Sequence, residues 1–80
     1  MEKEIDRKLL ARVIAQNLKE LRRMYDITQE ELARISGIPR STIAKCESGH
    51  GAVTLENLLI LSKTFGEEPN ALLKGWEDCF

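Results

Sequence analysis

Residues Gly37–Gly49 read Gly-Ile-Pro-Arg-Ser-Thr-Ile-Ala-Lys-Cys-Glu-Ser-Gly. The stretch is a short helix held between two glycines, with Pro39 at or close to its first turn, where a missing N–H costs nothing. Its apolar positions are few: Ile38, Ile43 and Cys46. Arg40, Ser41, Thr42, Ala44 and Lys45 are left to point away from the core. An outer face that is small or basic, with almost no acid, suits a negatively charged partner.

Working back from this helix, Thr28-Gln29-Glu30-Glu31 matches a capping box. The Thr28 hydroxyl receives the amide of Glu31, and the Glu31 carboxylate reaches back to the amide of Thr28. A helix follows that should bury Leu32 and Ile35, with Ala33 beside them, and stop at Gly37. Upstream, Leu10, Ile14, Leu18 and Leu21 recur at helical spacing. They predict a first helix from about residue 6 to Tyr25. Downstream, Thr54 caps a fourth helix whose apolar side comprises Leu55, Leu58, Leu59, Leu61 and Phe65, ended by Gly66. Pro69 opens a short fifth helix with Leu72 and Leu73, ended by Gly75. No stretch reads as a strand. The expectation is an all-α fold of five helices in one domain over residues 1–80. Its core covers about 8–75, and a short tail covers 76–80.

The length of 80 residues allows one small domain. Aromatics make up only 5%, so Leu, Ile, Val and Ala must build the core. No apolar run approaches the roughly 18 residues of a membrane span, and the charged start MEKEIDRKLL lacks a signal-peptide pattern. A cytoplasmic location is expected. Cys46 and Cys79 form neither a metal spacing nor a disulfide framework and read as free thiols. One histidine and no glycine-rich phosphate loop leave nothing to catalyse with, so the chain reads as a non-enzyme without cofactor or metal. The net charge is −1, but it is unevenly spread. Residues 1–50 hold ten Lys and Arg against eight Asp and Glu; residues 51–80 hold two against five. Such asymmetry matters more than the sum when one face meets a charged partner.

Two short helices joined by a turn around Gly37 form a helix-turn-helix, over about residues 28–48. In that motif the second helix enters the DNA major groove. From about Ile14 to Lys74, three quarters of the chain, the sequence resembles the lambda-repressor-like helix-turn-helix family, also called the Xre or Cro type. The residues that carry the resemblance are Leu18-Lys19-Glu20-Leu21-Arg22-Arg23, Ile27-Thr28-Gln29-Glu30-Glu31-Leu32-Ala33, Gly37-Ile38-Pro39-Arg40-Ser41-Thr42-Ile43, Glu47-Ser48-Gly49, Leu55-Glu56-Asn57-Leu58-Leu59 and Phe65-Gly66.

That resemblance implies a sequence-specific regulator of transcription that binds double-stranded DNA, in the manner of a repressor. Arg40, Ser41 and Lys45 match the base-reading positions. Gln29, Thr42, Ser48 and His50 match positions at phosphates, and Arg22 and Glu47 match a structural ion pair. A homodimer is expected, with Leu72, Trp76 and Phe80 as candidate contacts to a second copy or another protein. The sequence departs from the family pattern at Pro39, where a Ser or Thr cap is common. It departs again at Cys46, which replaces a larger apolar residue and implies looser packing. It also lacks, in the segment His50-Gly51-Ala52-Val53, the Lys or Arg common in the family after the third helix. The competing readings are an antitoxin-like protein-interaction module on the same fold, and the DNA-binding part of a longer regulator.

Overall fold

The computed structural model describes residues 4–51 and 53–80. Five α-helices follow one another: α1 (Arg7–Tyr25), α2 (Gln29–Ser36), α3 (Arg40–Glu47), α4 (Leu55–Thr64) and α5 (Asn70–Leu73). A 3-10 turn, Trp76–Cys79, closes the chain. No strand occurs among the described residues.

Each helix start has a local cause. The Asp6 carboxylate caps α1 by accepting from the amide of Leu9 at 3.0 Å. Thr28 and Glu31 form the reciprocal capping box of α2, at 3.0 and 2.9 Å. Thr54 caps α4 through the amide of Asn57 at 3.1 Å. Pro39 is the residue before α3 rather than its first helical position: its ψ of 141° is extended, and the helix begins at Arg40. Its carbonyl accepts from the amides of Thr42 and Ile43. At the far end of α1 the chain turns through Asp26, a non-glycine residue at φ 54°.

Ile14, Leu18 and Leu21 form the buried stripe of α1. They meet Leu32, Ile38, Ile43, Cys46, Leu58, Leu61, Phe65 and Leu72 in one core. α1 packs against α3, α5 and the 3-10 turn, while α2 packs against α3 and α4. The helix-turn-helix thus rests on both long helices.

Several expected core positions lie outside it. Ile35, Leu55 and Leu59 are 54%, 73% and 46% exposed. α2 is two turns long and covered only on the Leu32 side. Leu55 sits in the first turn of α4, and Leu59 lies about 100° round the helix from buried Leu58. The segment Leu-Glu-Asn-Leu-Leu-Ile-Leu is apolar nearly all round, so sequence alone leaves the inward stripe undetermined.

The end of the chain is drawn into the fold. The carbonyl of Cys79 accepts from the amide of Asp6 at 2.6 Å, and Cys79 is fully buried. The Asn17 carboxamide donates to the carbonyls of Leu72 and Lys74, at 2.7 and 3.0 Å, locking α5 onto α1. Leu72 is fully buried in this core. That corrects its expected place at a partner contact, since a side chain enclosed by its own chain has no surface to offer. Trp76 and Phe80 keep 42% and 58% exposure, with their rings edge to face at 6.2 Å.

Candidate nucleic-acid interface

α3 divides its residues cleanly. Ile43 and Cys46 face the core. Arg40, Ser41, Thr42, Lys45 and Ser48 are exposed. At 100° per residue, Arg40, Ser41, Ala44, Lys45 and Ser48 fall on one side of the helix. That side carries two cations, two hydroxyls and one methyl group, with no carboxylate. Arg and Lys can donate to guanine O6 and N7, and Ser and Thr hydroxyls can serve either donors or acceptors on base edges.

The one acid of α3, Glu47, is turned the other way and is 6% exposed. The Arg22 guanidinium grips it with two bonds, Nε to Oε2 at 2.6 Å and Nη2 to Oε1 at 2.8 Å. Arg22 Nη1 also donates to the carbonyl of Ile27 at 3.0 Å. Gln29 Nε2 donates to Glu47 Oε1 at 2.9 Å. Burial alone would push the Glu47 carboxyl up, but the hydrogen bonds from Arg22 and Gln29, with the charges of Arg22 and Lys19, outweigh it and hold the group below the usual carboxylate range. The bond to Glu47 also raises the Arg22 guanidinium further. One cluster therefore fixes the end of α1, the start of α2 and the end of α3. It also removes the only negative charge of α3 from its outer surface.

The residues expected near phosphates are placed less uniformly. Gln29, half-buried, turns its carboxamide to Glu47. The Ser48 hydroxyl donates to the carbonyl of Lys45 at 2.6 Å and accepts from the amide of His50 at 3.3 Å, so it shapes the loop after α3. Thr42 and His50 are exposed. Gly51 is a feature sequence reading missed. A Cβ there would lie 2.9 Å from Lys45 Cγ, so the bare glycine gives the Lys45 stem its resting place.

Cys46 lines a small cavity of about 40 Å³ with Ile43, Val53, Asn57 and Leu61. Burial pushes the Cys46 thiol up to about 11, with the neighbouring Glu47 charge adding to it, so it stays a protonated apolar group. Both cysteines are free. Among the described residues, no three His, Cys, Asp or Glu side chains gather to hold a metal, and no helix is long and apolar enough to cross a membrane.

The helix-turn-helix family HTH_3 matches residues 18–72, the span that contains α2, α3 and their supports. The chain belongs to this family. HTH_3 relatives include the control protein C.SmaI of Serratia marcescens, 36% identical over 61 residues, which are 76% of this chain and 73% of that protein. The antitoxin PezA of Streptococcus pneumoniae is 40% identical over 53 residues. That match takes in 66% of this chain but only 34% of PezA, so the chain spans about a third of that protein. Among solved structures, the restriction-modification controller protein C.AhdI from Aeromonas hydrophila superposes with a TM-score of 0.74 at 37% identity, over 78% of this chain and 94% of that one. The all-helical HTH_3 fold and the resemblance stated from sequence therefore agree.

Proposed function

We propose that this HTH_3 protein regulates transcription by inserting α3 into the major groove of a specific duplex, with Arg40, Ser41 and Lys45 reading base edges. The observation that carries this is the acid-free outer face of α3 together with the inward capture of Glu47. A helix at a groove must be presented rigidly and without repulsion from phosphates. The Arg22–Glu47–Gln29 cluster meets both needs. Gln29, Thr42, Ser48, His50 and the N-terminal amides of α2 would contact the backbone phosphates that flank the helix. The likeness to two controller proteins over most of their lengths supports a regulatory role.

A homodimer would set two α3 helices about one DNA turn apart, roughly 34 Å, and favour a near-palindromic site. The exposed Trp76–Phe80 pair offers an apolar contact for a second copy. The same pair, with the likeness to an antitoxin, favours a second reading in which the tail end engages a protein partner.

Selection from a random duplex pool at low salt tests the proposal. An enriched near-palindrome, lost in R40A/K45A, is the expected result. No enrichment, or equal binding by the variant, would remove α3 as a reader and leave the protein-partner reading.

A further inference from the structure

Beside the loop that follows α3 lies a second basic surface. Arg7, Lys8 and Arg12, in the first turns of α1, face Ser48, Gly49 and His50 across a cleft. The two walls meet closely: a Cβ on Gly49 would come 3.3 Å from Arg12 Cγ and 3.7 Å from Arg12 Cα. Gly49 sits at φ 76°, so the loop turns there in a conformation suited to glycine. Among the described residues, no carboxylate lines the cleft. The acid adjacent in sequence, Asp6, is occupied in capping α1. Among the described residues, Arg7, Lys8 and Arg12 form no ion pair; the pairs present use Arg22 and Arg23.

The placement of these cations is unfavourable for the protein alone. The first turn of a helix carries partial positive charge and prefers acids. The first turn of α1 contains none and begins Arg7-Lys8. An anion seated in the cleft would remove that repulsion. The cleft also continues directly from the last turn of α3 through Ser48 and His50.

We propose that this cleft holds a backbone phosphate of the duplex flanking the bases that α3 reads, so that α1 extends the DNA footprint. The inference rests on the proposed DNA-binding role. It also explains how a chain of net charge −1 with no Lys or Arg in the loop after α3 can hold DNA: the cations are supplied from α1. A guanidinium fork matches phosphate oxygens in geometry as well as charge.

The test uses the full chain and R7Q/K8Q/R12Q, with K8Q alone as the milder variant, on the selected duplex and on the same duplex with its flanks removed. Affinity is followed against salt. The variant should bind the long duplex about tenfold more weakly, and its log–log salt slope should fall by about 0.9 for each phosphate it no longer neutralises. Removing the flanks should weaken the wild type and not the variant. Sequence preference should stay, and thermal stability should be unchanged or higher. Equal affinity and slope, or equal loss from flank removal in both proteins, would overturn the cleft as a phosphate site. If the wild type binds and R40A/K45A loses its preference while R7Q/K8Q/R12Q matches the wild type, only the cleft proposal falls. If the wild type shows no salt-dependent duplex binding, the proposed function falls and the cleft with it.

Discussion

Arg22 and Glu47 meet through two parallel bonds of 2.6 and 2.8 Å, joining the last turn of α1 to the last residue of α3. Glu47 is buried while Arg22 remains partly open, so the cost of separation is unequal. Truncating Arg22 to Ala leaves a carboxylate enclosed with only Gln29 and distant Lys19 to balance it. The expected loss is about 3 kcal/mol, read as a shift of the urea midpoint at neutral pH. R22A/E47Q should recover part of that loss, because the stranded charge is gone.

The same carboxyl makes stability depend on acid. Its folded pKa lies below the ordinary value, so its contribution is complete above about pH 4.3 and disappears as pH falls through the lower folded value. Glu31, held down by the backbone amide of Thr28, acts with the same sign. Denaturation profiles should therefore stay flat from neutrality to about pH 5 and fall steeply below about pH 4. In E47Q the acid limb should be shallower than in the wild type. Superimposable limbs would show that Glu47 titrates as an ordinary carboxyl.

Arg40 and Lys45 are exposed, and the Lys45 stem rests only against Gly51 and the rim of the pocket beside Cys46, so R40A and K45A should each change stability by no more than about 0.5 kcal/mol. Each should cost about 1–3 kcal/mol of discrimination at one base pair of the selected site. A competition titration against single-position duplex variants reads this directly. Equal weakening on all duplexes would assign the residue to phosphate instead.

Gly51 offers a way to move Lys45 without mutating it. An Ala Cβ at 2.9 Å from Lys45 Cγ and 3.1 Å from Cδ must push the lysine stem aside. G51A should therefore weaken selected-site binding several-fold while perturbing stability little, since the displaced atoms belong to a flexible side chain. In a K45A background the effect of G51A should vanish. An undiminished effect there would place the action of Gly51 elsewhere.

Much of this was legible in the residues themselves. The capping box at Thr28, the Gly37 stop and the Leu18–Leu21 stripe are local signals whose partners lie within a turn or two, and the structure repeats them. Arg22 and Glu47 stand 25 positions apart, and the family resemblance rather than any spacing rule brought them together. Burial was harder to read where a helix is apolar on several sides, which is why Leu55 and Leu59 of α4 stand exposed. Leu72 was misplaced for a related reason. Its partners, Leu18 and the Asn17 carboxamide bonded to its own carbonyl, lie at the far end of the sequence. The cleft at Arg12 escaped as well, because it forms only when the loop at Gly49 folds against a helix nearly forty residues earlier.

Cys46 borders a small pocket of about 40 Å³ whose inner wall is Ile38, Ile43, Val53 and Leu61. A void on one side of a buried side chain forfeits dispersion attraction with nothing in return. Valine adds about one methyl group at this position and keeps the polarity of the site low. C46V should therefore raise stability by about 1 kcal/mol, visible as a higher urea midpoint with an unchanged slope. The β-branch opposes this slightly in a helix, so C46A serves as the reference in which only volume is removed. It should destabilise by about 1 kcal/mol, roughly one methylene-sized loss. A C46V protein less stable than the wild type would mean that α3 has no room to accept the methyl group. Because Cys46 faces the core while Arg40 and Ser41 face outward, C46V should leave duplex preference unchanged. A shift in preference would instead show that the seating of α3 on Cys46 sets its angle in the groove.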